Sequence, residues 1–151
     1  MWERNNKMES YIDNDLLSEV SDFARQYYSN KKYNHVCRVA AYAFEKAQQI
    51  SGINLNDIYI VALCHDLIED TECPQDELNQ LIGTELFSSV LLLTKDDTED
   101  YETYCKNILY SDDYIARIVK QADMKDHIIQ VDSPQDEKVQ NKYWAVLKYF
   151  L

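Results

Sequence analysis

Residues 58–64 read Ile-Tyr-Ile-Val-Ala-Leu-Cys, and the chain runs from them without a break into His65-Asp66-Leu67-Ile68-Glu69-Asp70-Thr71. A helix that is apolar on every side has to be surrounded by other elements, so this stretch marks a central, buried helix. On a helix His65 and Glu69 are four apart, as are Asp66 and Asp70, and such pairs stack one turn above another. A histidine beside a carboxylate at the end of an apolar helix suits a divalent metal such as Mn, Fe, Zn or Mg. The two carboxylates one turn on suit general acid and base work on a metal-bound water. A lone His-Asp pair is also an ordinary helix-end hydrogen bond, and the rest of the chain has to decide between the two.

That rest is helical in pattern. With only 2 Gly and 2 Pro in 151 residues, a turn-rich β-sandwich is disfavoured and long helices with short joints are favoured. Leu16, Leu17, Val20, Phe23, Ala24 and Tyr27 recur at three and four, which predicts a helix over 13–28. After a joint at 29–32, Asn34 is the expected N-cap of a second helix running through Val36, Val39, Ala40, Ala43, Phe44 and Ala47 to Ile50, with His35 in its first turn and Gly52 ending it. The third helix, from about 56, carries the His65 cluster. Pro74 fits the first position of a short helix, and Thr84 is the expected cap of another over 85–94. The acidic stretch 96–100 reads as a solvated loop. Tyr101, Tyr104, Cys105, Ile108 and Leu109 make a further helical face, and a long helix from about 112 places Ile115, Ile118, Val119 and Ala122 inward ahead of Asp123. Ser133-Pro134 reads as an N-cap followed by Pro, opening a last helix with Trp144, Leu147, Tyr149 and Phe150 partly inward. Residues 1–12 are polar and expected to fray. The reading is all-α, with a single domain over 13–151.

Composition narrows the function. A formal net charge of -12 and a pI near 4.5 argue against nucleic-acid polymers and anionic membranes as partners, because both need a basic footprint. An anionic small substrate stays open if a metal and a few local Lys or Arg hold it. Met1-Trp2-Glu3-Arg4 opens no apolar signal segment, and no apolar run is long enough to span a bilayer. Cys37, Cys64, Cys73 and Cys105 lack CxxC spacing and read as reduced thiols of a cytoplasmic protein. The tyrosines, 12 in all, mostly follow helical spacing and are core or groove residues first.

The order His35 … His65-Asp66 … Asp123 on three separate helices resembles the HD-domain superfamily, in which two His and two Asp bind one divalent ion inside an all-helical bundle. His65-Asp66-Leu67-Ile68-Glu69-Asp70-Thr71 is similar to the HD-x-x-ED-T signature of the hydrolase domain of the bacterial alarmone enzymes that remove pyrophosphate from (p)ppGpp. Val119-Lys120-Gln121-Ala122-Asp123 resembles their VK-L-AD motif, and Leu93-Thr94-Lys95 the LTK step between the two. Tyr101 and Tyr104, with their spacing to Asp123, are similar to small stand-alone HD phosphohydrolases. The resemblance spans 23–131.

It implies an HD-type bundle with His35, His65, Asp66 and Asp123 as metal ligands and Mn²⁺ as the leading ion. Glu69 and Asp70 would be the catalytic acidic pair, and Lys95, Lys120 and His127 candidates to contact substrate. Two neutral imidazoles and two carboxylates leave a divalent ion formally neutral, with positions open for water and a phosphate oxygen. There are departures. His127 stands where the family commonly has Asn, and Val36 where a Pro usually follows the first His. The basic, Gly-containing loop before that His is shortened to 30–34, where Lys31 and Lys32 read as solvated. No synthetase domain is expected. The implied function is a phosphohydrolase of a small phosphorylated nucleotide, with (p)ppGpp first. A nucleoside 5′-monophosphatase is the nearest rival, and a metal-braced, non-catalytic sensing or partner-binding module a more distant one. Oligomerisation stays open.

Overall fold

The computed structural model describes residues 14–130, 141–143 and 145–146. Among these the chain is all-α, without strands, and forms one helical domain. Eight helices follow one another: α1 (Asn14–Arg25), α2 (Asn30–Gln48), α3 (Leu55–Cys64), α4 (Leu67–Asp70), α5 (Gln75–Ile82), α6 (Thr84–Leu92), α7 (Tyr101–Leu109) and α8 (Tyr114–Ile129). Residues 141–143 and 145–146 are helical as well, with Tyr143 and Val146 buried.

The apolar stretch behaves as its composition requires. Ile58, Ile60, Val61, Ala62, Leu63 and Cys64 are all buried, and α1, α2, α6 and α8 pack around α3. α2 buries Val36, Val39, Ala40, Ala43 and Ala47 and packs on both α3 and α8. Three alanines in that stripe present small side chains, which favours close packing because interaxial distance follows side-chain size. α8 contributes Ile115, Ala116, Ile118, Val119 and Ala122.

Several boundaries differ from the sequence reading. α2 begins at Asn30, capped by Ser29, whose Oγ accepts the Lys32 N–H at 3.1 Å. Asn34 is therefore not a cap, and 30–34 is the opening of a helix rather than a loop. The helix through 58–64 stops at Cys64: His65 is its C-cap, and Asp66, at φ -102 and ψ 0, separates it from α4. Pro74 caps α5 from outside, and Thr84 is already helical because Gly83 makes the turn. Gly83 has φ 89 and ψ 158, a conformation essentially reserved for glycine. α8 starts at Tyr114 because the Asp113 side chain accepts the Ala116 N–H at 2.9 Å. α2 ends at Gln48, and Gly52 (φ 82) lies in the turn beyond it. The fraying expected over 1–12, the Ser133-Pro134 cap, and the placing of Trp144, Leu147, Tyr149 and Phe150 fall outside the described residues. All four cysteines are free thiols, and no helix among the described residues is long and apolar enough to cross a membrane.

Candidate metal centre

α2, the α3–α4 break and α8 meet at one point. His35 comes from the second turn of α2, His65 and Asp66 from the break, and Asp123 from the third turn of α8. All four are buried. His35 Nε2 stands 3.0 Å from Asp123 Oδ1 and 3.5 Å from Asp66 Oδ2, and His65 Nε2 stands 3.4 Å from Asp66 Oδ2 and 3.5 Å from Asp123 Oδ1.

The break in the helix builds half of this cluster. A helix end leaves carbonyls unpaired. His65 Nδ1–H donates to the Ala62 carbonyl at 2.6 Å, and the Tyr28 hydroxyl donates to that of Leu63 at 2.8 Å. A carbonyl oxygen can only accept, so the proton of a neutral His65 sits on Nδ1 and Nε2 presents a lone pair. His35 is set in the same way by Asp126, whose Oδ2 lies 2.7 Å from Nδ1. Asp126 is itself clamped by Arg38 through two hydrogen bonds of 2.8 and 3.0 Å. Burial opposes its charge, yet Arg38 and His35 hold its carboxyl below the ordinary range.

The close nitrogen–oxygen approaches in the cluster lack hydrogen-bond geometry, and both Nε2 atoms are buried without a hydrogen-bond partner. Two lone pairs facing two carboxylates at 3.0–3.5 Å need a positive centre between them. Donors about 2.1 Å from an ion stand roughly 3 Å apart at adjacent octahedral positions, so the spacing fits a divalent metal. Burial opposes charging His35, but the Asp123 and Asp66 carboxylates raise it to about 10, which shows how strongly this point attracts positive charge.

Above the cluster lies a cavity of about 150 Å³. Every residue singled out for catalysis or substrate contact lines it: Glu69, Asp70, Lys95, Lys120 and His127. Glu69 Oε1 accepts the Lys95 N–H at 2.6 Å, and burial raises the Glu69 carboxyl above its usual range. Lys120 is buried, its Nζ 2.9 Å from Asp123 Oδ2 and about 5 Å above the rings of Tyr101 (5.1 Å) and Tyr104 (4.9 Å). Burial works against its charge, but Asp123 keeps the ammonium charged well beyond the usual lysine range.

Two lysines were missed. Lys32, expected in solvent, has its ammonium 3.2 Å from Asp66 Oδ2 and 2.9 Å from Asp70 Oδ2. Starting α2 at Asn30 puts Lys32 and His35 three apart on one helical face. Lys31 is exposed, as expected. Lys142 reaches the cavity from the last described segment and lies 4.2 Å over the Tyr101 ring. Only the Ser29 cap could have flagged Lys32 in the sequence, and nothing local marks Lys142 or Asp126.

No family model and no curated protein matches the chain. Among solved structures it is similar to a protein described as a metazoan ortholog of SpoT that hydrolyzes ppGpp and plays a role in starvation responses, with a TM-score of 0.69 and 19% identity over 92% of this chain and 85% of that one. The chain shares that hydrolase's fold. That likeness is one of fold, the helical path being shared over 92% of this chain.

Proposed function

We propose that this chain is a metal-dependent phosphohydrolase of a small phosphorylated nucleotide, with removal of the 3′-pyrophosphate of (p)ppGpp as the leading reaction. The observation that carries the reading is the pair of unpartnered, buried Nε2 atoms of His35 and His65 facing Asp66 and Asp123 under a lysine-lined cavity. The fold shared with a ppGpp hydrolase supports it.

His35, His65, Asp66 and Asp123 would hold one divalent ion, with Mn²⁺ first and Fe, Zn or Mg as alternatives. Such an ion supplies Lewis acidity and lowers the pKa of water. The remaining work falls to this chain's side chains. Glu69 is oriented by the Lys95 N–H, and its raised pKa suits it to take a proton from the attacking water. Asp70 holds Lys32 over the cluster. Lys120 offers a fixed positive charge to a phosphoryl oxygen, and Lys95 and Lys142 supply charge at the mouth. These lysines give an anionic substrate a local site on a chain of net charge -12.

A cavity of about 150 Å³ is below the roughly 300–1,000 Å³ of pockets that engulf a drug-sized ligand. It takes a phosphate group, and the nucleoside would lie across the mouth. The same size admits the phosphate of a nucleoside 5′-monophosphate, which makes that substrate class the rival reading.

The test is phosphate and pyrophosphate release from ppGpp with Mn²⁺, beside GDP and a set of nucleoside monophosphates. Pyrophosphate from ppGpp alone is the expected result. Phosphate from monophosphates alone would move the protein to the nucleotidase reading. Bound metal and bound nucleotide without release from any substrate would leave a sensing module.

A further inference from the structure

The geometry points to His127 as a fifth protein ligand of the same ion, making the donor set three imidazoles and two carboxylates. The inference rests on the metal centre proposed above.

His127 follows Asp123 by one turn of α8, and its Nε2 stands 3.2 Å from Asp123 Oδ1. That is the oxygen which His35 Nε2 approaches at 3.0 Å and His65 Nε2 at 3.5 Å. The other oxygen of Asp123 is taken by Lys120. Oδ1 is therefore the atom Asp123 turns to the cluster, and three imidazole nitrogens surround it. The donor atoms of His35, Asp123 and His127 all lie within 4.8 Å of one another, as do those of His35, His65 and Asp66. The two triads share His35, and Asp123 Oδ1 links them, lying 3.0, 3.5 and 3.2 Å from Nε2 of His35, His65 and His127.

The ring of His127 is also held in place. It stacks flat on Tyr143, with centroids 4.5 Å apart and an interplanar angle of 4°, and its centroid is 4.7 Å from that of His35. A ring pinned on its face by Tyr143 loses little freedom on ligation, while its edge points at the cluster. A side chain that only paired with a surface carboxylate would need no such support.

A fifth protein donor leaves an octahedral ion one exchangeable position instead of two. A third imidazole also moves the preference away from Mg²⁺, which favours oxygen donors, toward Mn²⁺, Fe²⁺, Co²⁺ and Zn²⁺.

The experiment titrates Mn²⁺ into the metal-stripped, full-length protein by calorimetry and counts coordinated imidazole nitrogens by pulsed EPR. His127→Phe keeps the flat stack on Tyr143 and removes the donor; His127→Gln is the smaller polar alternative. The expected result is three imidazole nitrogens in the wild type and two in both variants. Mn²⁺ binding should weaken about tenfold or more, with the melting temperature in chelator unchanged. Two nitrogens in the wild type, or unaltered Mn²⁺ affinity in both variants, overturns the inference. Loss of nucleotide affinity with intact Mn²⁺ binding overturns it too and assigns His127 to substrate. Failure of the wild type to bind Mn²⁺, or a His35→Ala variant that binds as well as wild type, instead defeats the metal-centre reading itself.

Discussion

Asp126 Oδ2 lies 2.7 Å from His35 Nδ1, and Arg38 grips both oxygens of that carboxylate from the far side. The arrangement fixes which nitrogen of His35 faces the cluster. A carboxylate behind a ligating histidine sets its tautomer and raises its basicity, and removing such a partner typically costs about 10–100-fold in metal affinity. Asp126→Asn should therefore weaken Mn²⁺ binding by about tenfold or more while leaving the bundle folded, as read by calorimetry and circular dichroism. Unchanged affinity would reduce Asp126 to a packing role.

The two aspartate ligands should behave differently when removed. Asp66 pairs with Lys32, whose side chain is 31% exposed and can rehydrate. Asp66→Ala should abolish metal binding and turnover together with a modest loss of stability. Asp123 is the partner of the buried Lys120. Asp123→Ala strands that ammonium, and breaking a buried pair typically costs about 3–5 kcal/mol. Thermal melts in chelator should separate the two variants, with Asp123→Ala the lower; equal melting temperatures would show that Lys120 is not held by Asp123.

Glu69 lies outside the donor cluster but beside it, bonded to the Lys95 N–H. Glu69→Gln keeps that acceptor and removes the base. It should leave Mn²⁺ affinity unchanged and slow turnover by about 10²–10⁴-fold, the usual contribution of a general base. Full turnover in this variant would remove Glu69 from the mechanism.

A metal that binds only the folded chain stabilises it by mass action, by about 2.7 kcal/mol at a hundredfold excess over Kd. The melting temperature should rise with Mn²⁺ concentration and fall back on adding chelator. His35→Ala should lose the response.

Gly83 carries φ 89 and ψ 158 between α5 and α6, with nothing within 4 Å of where a Cβ would sit. Gly83→Ala therefore acts through backbone strain alone, about 1–3 kcal/mol. The melting temperature should drop by a few degrees for each kcal/mol, while Mn²⁺ affinity and turnover stay as they are, because the turn is not part of the site. A loss of metal affinity would show the turn to be coupled to the centre.

Helix identity and burial were legible because they follow from periodicity. The inward faces of α2 and α8 and the buried α3 are written into the spacing of Val, Ile, Leu and Ala, and the expected core residues named on them are buried except Phe44 and Tyr59, which are partly buried, and Ile50, which is exposed beyond the end of α2. The ends were less legible, because a cap is decided by one or two side-chain bonds that neighbouring polar residues compete to make. Ser29 prevailed over Asn34, and Asp113 set the start of α8. The error at Ser29 carried into the site, since it hid Lys32 one turn ahead of His35.

The sequence by itself determined an all-helical chain, a central helix that must be buried, and an ordered set of His and Asp residues whose chemistry suits a divalent ion. Those properties depend on residue type and local spacing, which are one-dimensional. Only the tertiary structure decided that Asp126 stands behind His35, that Lys120 is buried against Asp123, that Lys32 and Lys142 reach the cavity, and that His127 lies flat on Tyr143 with its edge to the cluster. His35 and Asp126 are 91 residues apart in the chain. Such pairs are set by how helices cross and by which groups burial forces to find a partner, and neither is encoded in any local stretch.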